Sequence, residues 1–211
     1  MRAHLRAGIA IYNAGRYHAA HDAWEAYWLD LERGTPDERF LHGLIQFTAV
    51  VYHGHNHNWT GARGLAESAG EYLADLPAEY RGVDVGSTRS WLATAASDLE
   101  KLERRRPPRL THQGVAIGLV DLDFEATCIV AAVLAEEDGH DEALIDAAID
   151  YARTDLAAGQ ESSRYVTFLF DFVRDPAHRD VVLQRLGEHV DRRQSRDADV
   201  MDLFADREDG T

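Results

Sequence analysis

Apolar residues recur along the first hundred positions at intervals of three and four, the spacing of one face of an α-helix. Leu5, Ile9 and Tyr12 draw the first stripe, and Asn13-Ala14-Gly15 reads as its stop. Tyr17, His21, Trp24, Trp28 and Leu31 draw the second, over about residues 17–32, closed by Gly34-Thr35-Pro36. A third helix, from about Asp37, carries Phe40, Leu41, Leu44, Ile45, Phe47, Val50 and Val51 to a stop near Gly54. After the polar run His55-Asn56-His57-Asn58, a fourth turns Ala62, Leu65, Ala69 and Leu73 inward and ends by Pro77. A fifth, from about Thr88 to Arg105, presents Trp91, Leu92, Ala95, Leu99 and Leu102.

Arg104-Arg105-Arg106-Pro107-Pro108 is the strongest boundary, because two prolines end a helix and stiffen the connection. The apolar run Val115–Val120 has the length of a short strand, without an obvious partner. Four more helical stretches follow, at about 123–137, 141–158, 162–174 and 176–192. The first of them is apolar nearly all round, which marks it as buried. No strand series supports a Rossmann or barrel fold, so the predicted class is all-α. Its parts are a bundle of about five helices over 1–106, a second region of about four helices over 107–193, and an acidic tail, 194–211. The tail has only Val200, Met201, Leu203 and Phe204 to dock, and is expected to fray or pack on a partner.

Charge changes this picture in two ways. The 211 residues carry a formal net charge of −15, which sets nucleic acid aside as the main partner, since phosphates would be repelled. The imbalance is uneven: residues 1–106 hold 12 basic and 14 acidic groups, residues 107–211 hold 10 and 23. Lys101 is the sole lysine among 22 basic residues. Excess carboxylate with so little lysine is expected where molar salt screens self-repulsion, although a GC-rich genome favouring arginine codons gives a similar bias. No apolar run approaches the roughly 20 residues that span a bilayer, and the N-terminus lacks a signal-peptide core, so no membrane segment is expected. With Cys128 the single cysteine there is no internal disulfide, and a cytoplasmic setting follows most simply.

Two separated blocks carry a resemblance. The first is Tyr12-Asn13-x-Gly15-x-Tyr17-x-x-x-His21-Asp22-x-Trp24-Glu25-x-x-Trp28. The second is Phe40-Leu41-x-Gly43-Leu44-Ile45-Gln46, followed by His53 and by Asn58-x-x-Gly61-Ala62. Over about residues 8–76 the chain resembles domain-of-unknown-function family 309, with departures at Asp22 (usually Glu), at His42 (usually Gln) and in the His-rich segment Gly54–His57. The resemblance implies a compact helical bundle and no particular activity. Nothing familiar covers residues 107–211.

His21 and Glu25, four apart on the second helix, project from one face, among aromatic residues that would shift their titration. On the third helix His42, Gln46 and His53 fall within about 40° of one another. Antiparallel packing of the two helices would bring His21, Glu25, Gln46 and His53 together, with Asp22 and Asn58 as neighbours. Within that candidate ligand site His21, Glu25 and His53 are a set that zinc or iron accepts, leaving a position for water. The same group also fits a general base, Glu25, oriented by His21, or a purely structural hydrogen-bond cluster. The alternating His53, His55 and His57 can hold a surface metal if their loop is extended, whereas Asn58 suits an N-cap.

Phosphate-loop, dinucleotide, zinc-protease and serine-hydrolase motifs are absent. Of the ExxH pairs that a di-metal bundle needs, Glu137-x-x-His140 alone fits, at a turn. His-Asp occurs twice, at 21–22 and 140–141, against about one expected by chance, and carries little weight. Asn13-x-Gly15-x-Tyr17-x-x-Ala20 resembles the first helix pair of tetratricopeptide hairpins, but no period of 34 is sustained. Two function classes stand: a metal- or small-ligand-binding bundle, and an interaction module that meets a protein partner or a second copy through its C-terminal region. Trp59 is a candidate exposed anchor for the latter.

Overall fold

The computed structural model describes residues 1–98, 106–160 and 162–208, with side chains as far as residue 199. The fold is all-α, with five helices followed by four among the described residues. The first five are α1 (Arg2–Asn13), α2 (Tyr17–Trp28), α3 (Pro36–His55), α4 (Trp59–Leu73) and α5 (Val85–Ser97). The others are α6 (Phe124–Asp138), α7 (Glu142–Ala157), α8 (Arg164–Arg174) and α9 (Arg179–Glu208). Two compact units result, Met1–Val133 and Leu134–Thr211.

In the first unit each helix from α1 to α5 packs on the next in sequence, the outcome that short connections favour. The core is aromatic and aliphatic, centred on Trp24, Phe40, Leu44 and Phe47. Two glycines set how closely its helices approach. A Cβ at Gly8 would run into the Trp24 indole, and one at Gly43 would sit 2.5 Å from Leu73 Cδ2. Thr35 caps α3 by accepting from Glu38 N–H, with Pro36 at the first helical position, so the triplet that closes the second stripe also opens the third.

Several boundaries differ from the sequence expectation. α2 stops at Trp28 rather than near residue 32, and Leu29 is exposed. The Glu38 carboxylate is the reason, since it accepts from Trp28 Nε1 (3.0 Å) and Gly34 N–H (3.2 Å) and so folds the intervening turn back onto α3. The Val115–Val120 strand does not form. Val115 makes one bridge to His112, Leu119–Asp121 is a 3₁₀ turn, and Val115 and Val120 are exposed. A two-residue hairpin that the apolar pattern does not mark pairs β1 (Glu79–Tyr80) with β2 (Val83–Asp84). Arg81 and Gly82 at its tip both have positive φ, the requirement of a type I′ turn. Leu99, Leu102 and Arg104-Arg105 of the expected fifth helix lie outside the described residues.

From Pro108 onward the chain runs back along α1. Tyr12 donates its hydroxyl to Pro108 O, and the Asn13 amide donates to Leu110 O and Ile117 O while accepting from Leu110 N–H. Asn13 ends α1 and also ties down a segment nearly a hundred residues away.

In the second unit α7, α8 and α9 pack pairwise around Ile145, Ala152, Leu169, Phe172 and Leu186. Arg179 opens α9 from a buried position, donating to Phe172 O (2.9 Å) and pairing with Asp138 (2.7 Å). α9 continues to Glu208 through the segment expected to fray; the side chains of Val200, Met201, Leu203 and Phe204 lie outside the described residues.

Candidate functional site

α2 turns Ala19, Ala20, Ala23 and Trp24 into the core, and this fixes the rotation of its other face. Three alanines there let α1 and α3 approach closely. On the flank that remains stand His18, His21, Asp22 and Glu25, spaced to share one side of a helix. His18 Nδ1 lies 3.1 Å from Asp22 Oδ2, and His21 Nε2 lies 3.7 Å from Glu25 Oε2. One ligand atom each from His21, Asp22 and Glu25 lie within 4.8 Å of one another. The side chains are partly exposed, 32 % for His21 and 43 % for Glu25, so the pair is not enclosed by the aromatic stripe. The His18 ring stacks near His21 at 6.3 Å and faces Tyr52 of α3 at 6.5 Å.

The other sequence candidates are engaged elsewhere. His53 is not a member of that group, and its Nδ1 sits 3.0 Å from Asn58 Nδ2. Asn58 caps α4, accepting from Gly61 N–H at 3.1 Å. Because α3 remains helical through His55, His53, His55 and His57 do not form an extended row. His55 packs on Tyr17, and His57, with positive φ, packs on Trp59, which is half-buried.

Gln46 belongs to a second cluster, whose Glu38, His42 and Gln46 follow one another at four-residue steps along α3. Gln46 Nε2 lies 3.2 Å from His42 Nε2, and the His42 ring is held between Trp28 (4.6 Å) and Tyr72 (3.9 Å). Among the described residues, Gln46 Oε1 and His42 Nδ1 are buried without a hydrogen-bond partner, the latter 3.6 Å from Glu38 Oε1. Glu38 and His42, with Trp28 and Tyr72, stand at a cleft of about 640 Å³ that Arg39 and Glu71 also line. The four-residue step from His42 to Gln46 was legible in the sequence; the addition of Glu38 and the meeting of Trp28 and Tyr72 over His42, from different helices, were not.

Burial holds the His4, His42 and His112 imidazoles below their ordinary 6.5, with Glu38 pulling His42 partly back up. The folded chain therefore takes up these protons less readily than the unfolded chain does. Their contribution is intact above about pH 6.5 and is lost as pH falls through the depressed folded values. The denaturant midpoint should fall between about pH 7.5 and pH 5, before carboxylates titrate, and His42→Gln should flatten part of that slope. A midpoint constant across this window would contradict it.

Residues 5–65 match the model of a family described as a domain of unknown function, DUF309, and the remainder of the chain matches no family. The match takes in α2, α3 and the start of α4, hence both clusters except Tyr72. No curated protein matches the chain.

Proposed function

We propose that the N-terminal unit is a metal-binding helical module that holds one divalent transition ion, zinc or iron, between His21, Asp22 and Glu25. The observation that supports it is the convergence of these three ligand atoms within 4.8 Å. Tetrahedral zinc at its usual bond lengths separates its ligands by about 3.4 Å, so the set need close by only a little over 1 Å to hold the ion. One imidazole and two carboxylates leave a coordination position for water or a partner's ligand. His18, beside Asp22, orients that carboxylate from behind, as outer-shell partners do. Binding is the role assigned, since the His21 and Glu25 side chains are partly open to solvent.

Calorimetric titration of chelator-free protein with zinc should give one site per chain. Glu25→Gln and His21→Asn should each weaken it more than the roughly 10–100-fold typical of outer-shell losses, while His53→Gln leaves it unchanged. Equal affinity in wild type and both ligand variants would remove the reading.

We further infer a cytoplasm rich in salt, from the charge of −15, the single lysine, and the burial of the single cysteine. Nucleic acid is not the partner proposed. Thermal stability should rise as KCl goes from about 0.2 M to about 2 M, as screening relieves carboxylate repulsion. A melting temperature that falls over that range would count against salt adaptation.

A further inference from the structure

The second unit holds a feature at odds with its charge. Four arginines, Arg164, Arg192, Arg193 and Arg196, line one pocket of about 960 Å³, against two described carboxylates, Asp155 and Asp197. One of the four is already committed. Arg193 pairs with buried Asp155 at 2.6 Å, lies over the Tyr151 ring at 4.4 Å, and serves as the floor. Arg164 and Arg192 have no carboxylate within ion-pair distance among the described residues, and Arg196 donates Nε–H to Arg192 O, within its own helix. Like charges are thus gathered from the start of α8 and from successive turns of α9, in excess of the two carboxylates described beside them. Such a cluster disfavours the folded state unless an anion joins it.

We propose that this pocket binds a phosphate group, free or carried by a small organic phosphoester. Guanidinium forks match phosphate oxygens two at a time, and three of them from two helices surround a dianion better than a single carboxylate. The α8 N-terminus opens on the same pocket, through Ser163, Arg164 and Tyr165. Its N-cap, Ser163, makes no side-chain cap, because its hydroxyl donates instead to Asp155 Oδ2 at 2.8 Å. Without a cap from Ser163, the first turn of this eleven-residue helix adds its partial positive charge to that of the arginines. His189 also lines the pocket. Burial holds its imidazole below the ordinary range, with the charges of Arg192 and Arg164 pushing the same way and Glu188 opposing them. The site is independent of the α2 metal group, so either assignment can fail alone.

The test is calorimetric titration of the full chain with inorganic phosphate, and separately with glycerol 3-phosphate, at fixed ionic strength in chloride. Saturable binding of one or both is expected; comparable affinity points to free phosphate, and tighter ester binding to an organic phosphoester. Arg192→Gln, an exposed change on α9, and Arg164→Gln, on α8, should each weaken binding about tenfold, the loss expected for one charge-assisted contact. Far-ultraviolet circular dichroism checks that both variants keep their helices. No saturable binding of either probe by the wild type would overturn the proposal. So would unchanged affinity in both folded variants.

Discussion

Trp24→Ala lowers the unfolding free energy of the N-terminal unit by about 3–5 kcal/mol, the loss expected for an aromatic side chain removed from a packed core. Trp24 is fully buried on α2, and its indole lies against Gly8 of α1, with Nε1 3.4 Å from Leu5 O. The other buried residues of α2, Ala19, Ala20 and Ala23, are too small to fill the space. The reciprocal change, Gly8→Ala, puts a methyl group where the indole stands; it forces α1 and α2 apart and costs about 1–3 kcal/mol or more. Denaturant unfolding followed by tryptophan fluorescence measures both, since Trp24, Trp28, Trp59 and Trp91 all lie in the first unit. A Trp24→Ala loss below about 1 kcal/mol would mean that the helices close over the gap.

Asp155→Ala destabilises the second unit by about 3 kcal/mol. That is the low end of the range for breaking a buried ion pair, because Arg193 keeps some contact with water. Asp155, 5 % exposed, accepts from Ser163 Oγ and from Arg193 Nη1, joining the start of α8 to the middle of α9. Alanine leaves the guanidinium beside two tyrosine rings without its anion and frees the serine hydroxyl. Asparagine retains an acceptor and should cost less. The second unit has no tryptophan, so the change should appear in helical circular dichroism and spare the fluorescence transition. A shift in both signals together would show that the two units unfold as one.

The helices were legible because burial imposes a period on each, and Leu5, Ile9 and Tyr12, or Phe40, Leu44 and Phe47, carry it openly. What escaped depends on single polar atoms acting across the chain. Pro107-Pro108 marks a break, but the return of residues 108–117 to α1 rests on the Asn13 amide, a residue that local rules read as a helix stop. The early end of α2 rests on Glu38, which lies one element further on. For the site, the i,i+4 relation of His21 and Glu25 was readable, and so was the adjacency of Asp22. Where His53 would go was not, because the turn into α4 decides it by presenting Asn58. The arginine pocket gave no local signal either, since Arg164 and Arg192 are 28 positions apart and meet through packing alone.

The assignment of α2 as a metal-holding helix is tested most directly by elemental analysis of protein purified without chelators or a histidine tag, beside a His21→Asn, Glu25→Gln double variant prepared identically. About one equivalent of zinc or iron in the wild type and none in the variant is expected. Metal absent from both, or equal in both, would contradict it.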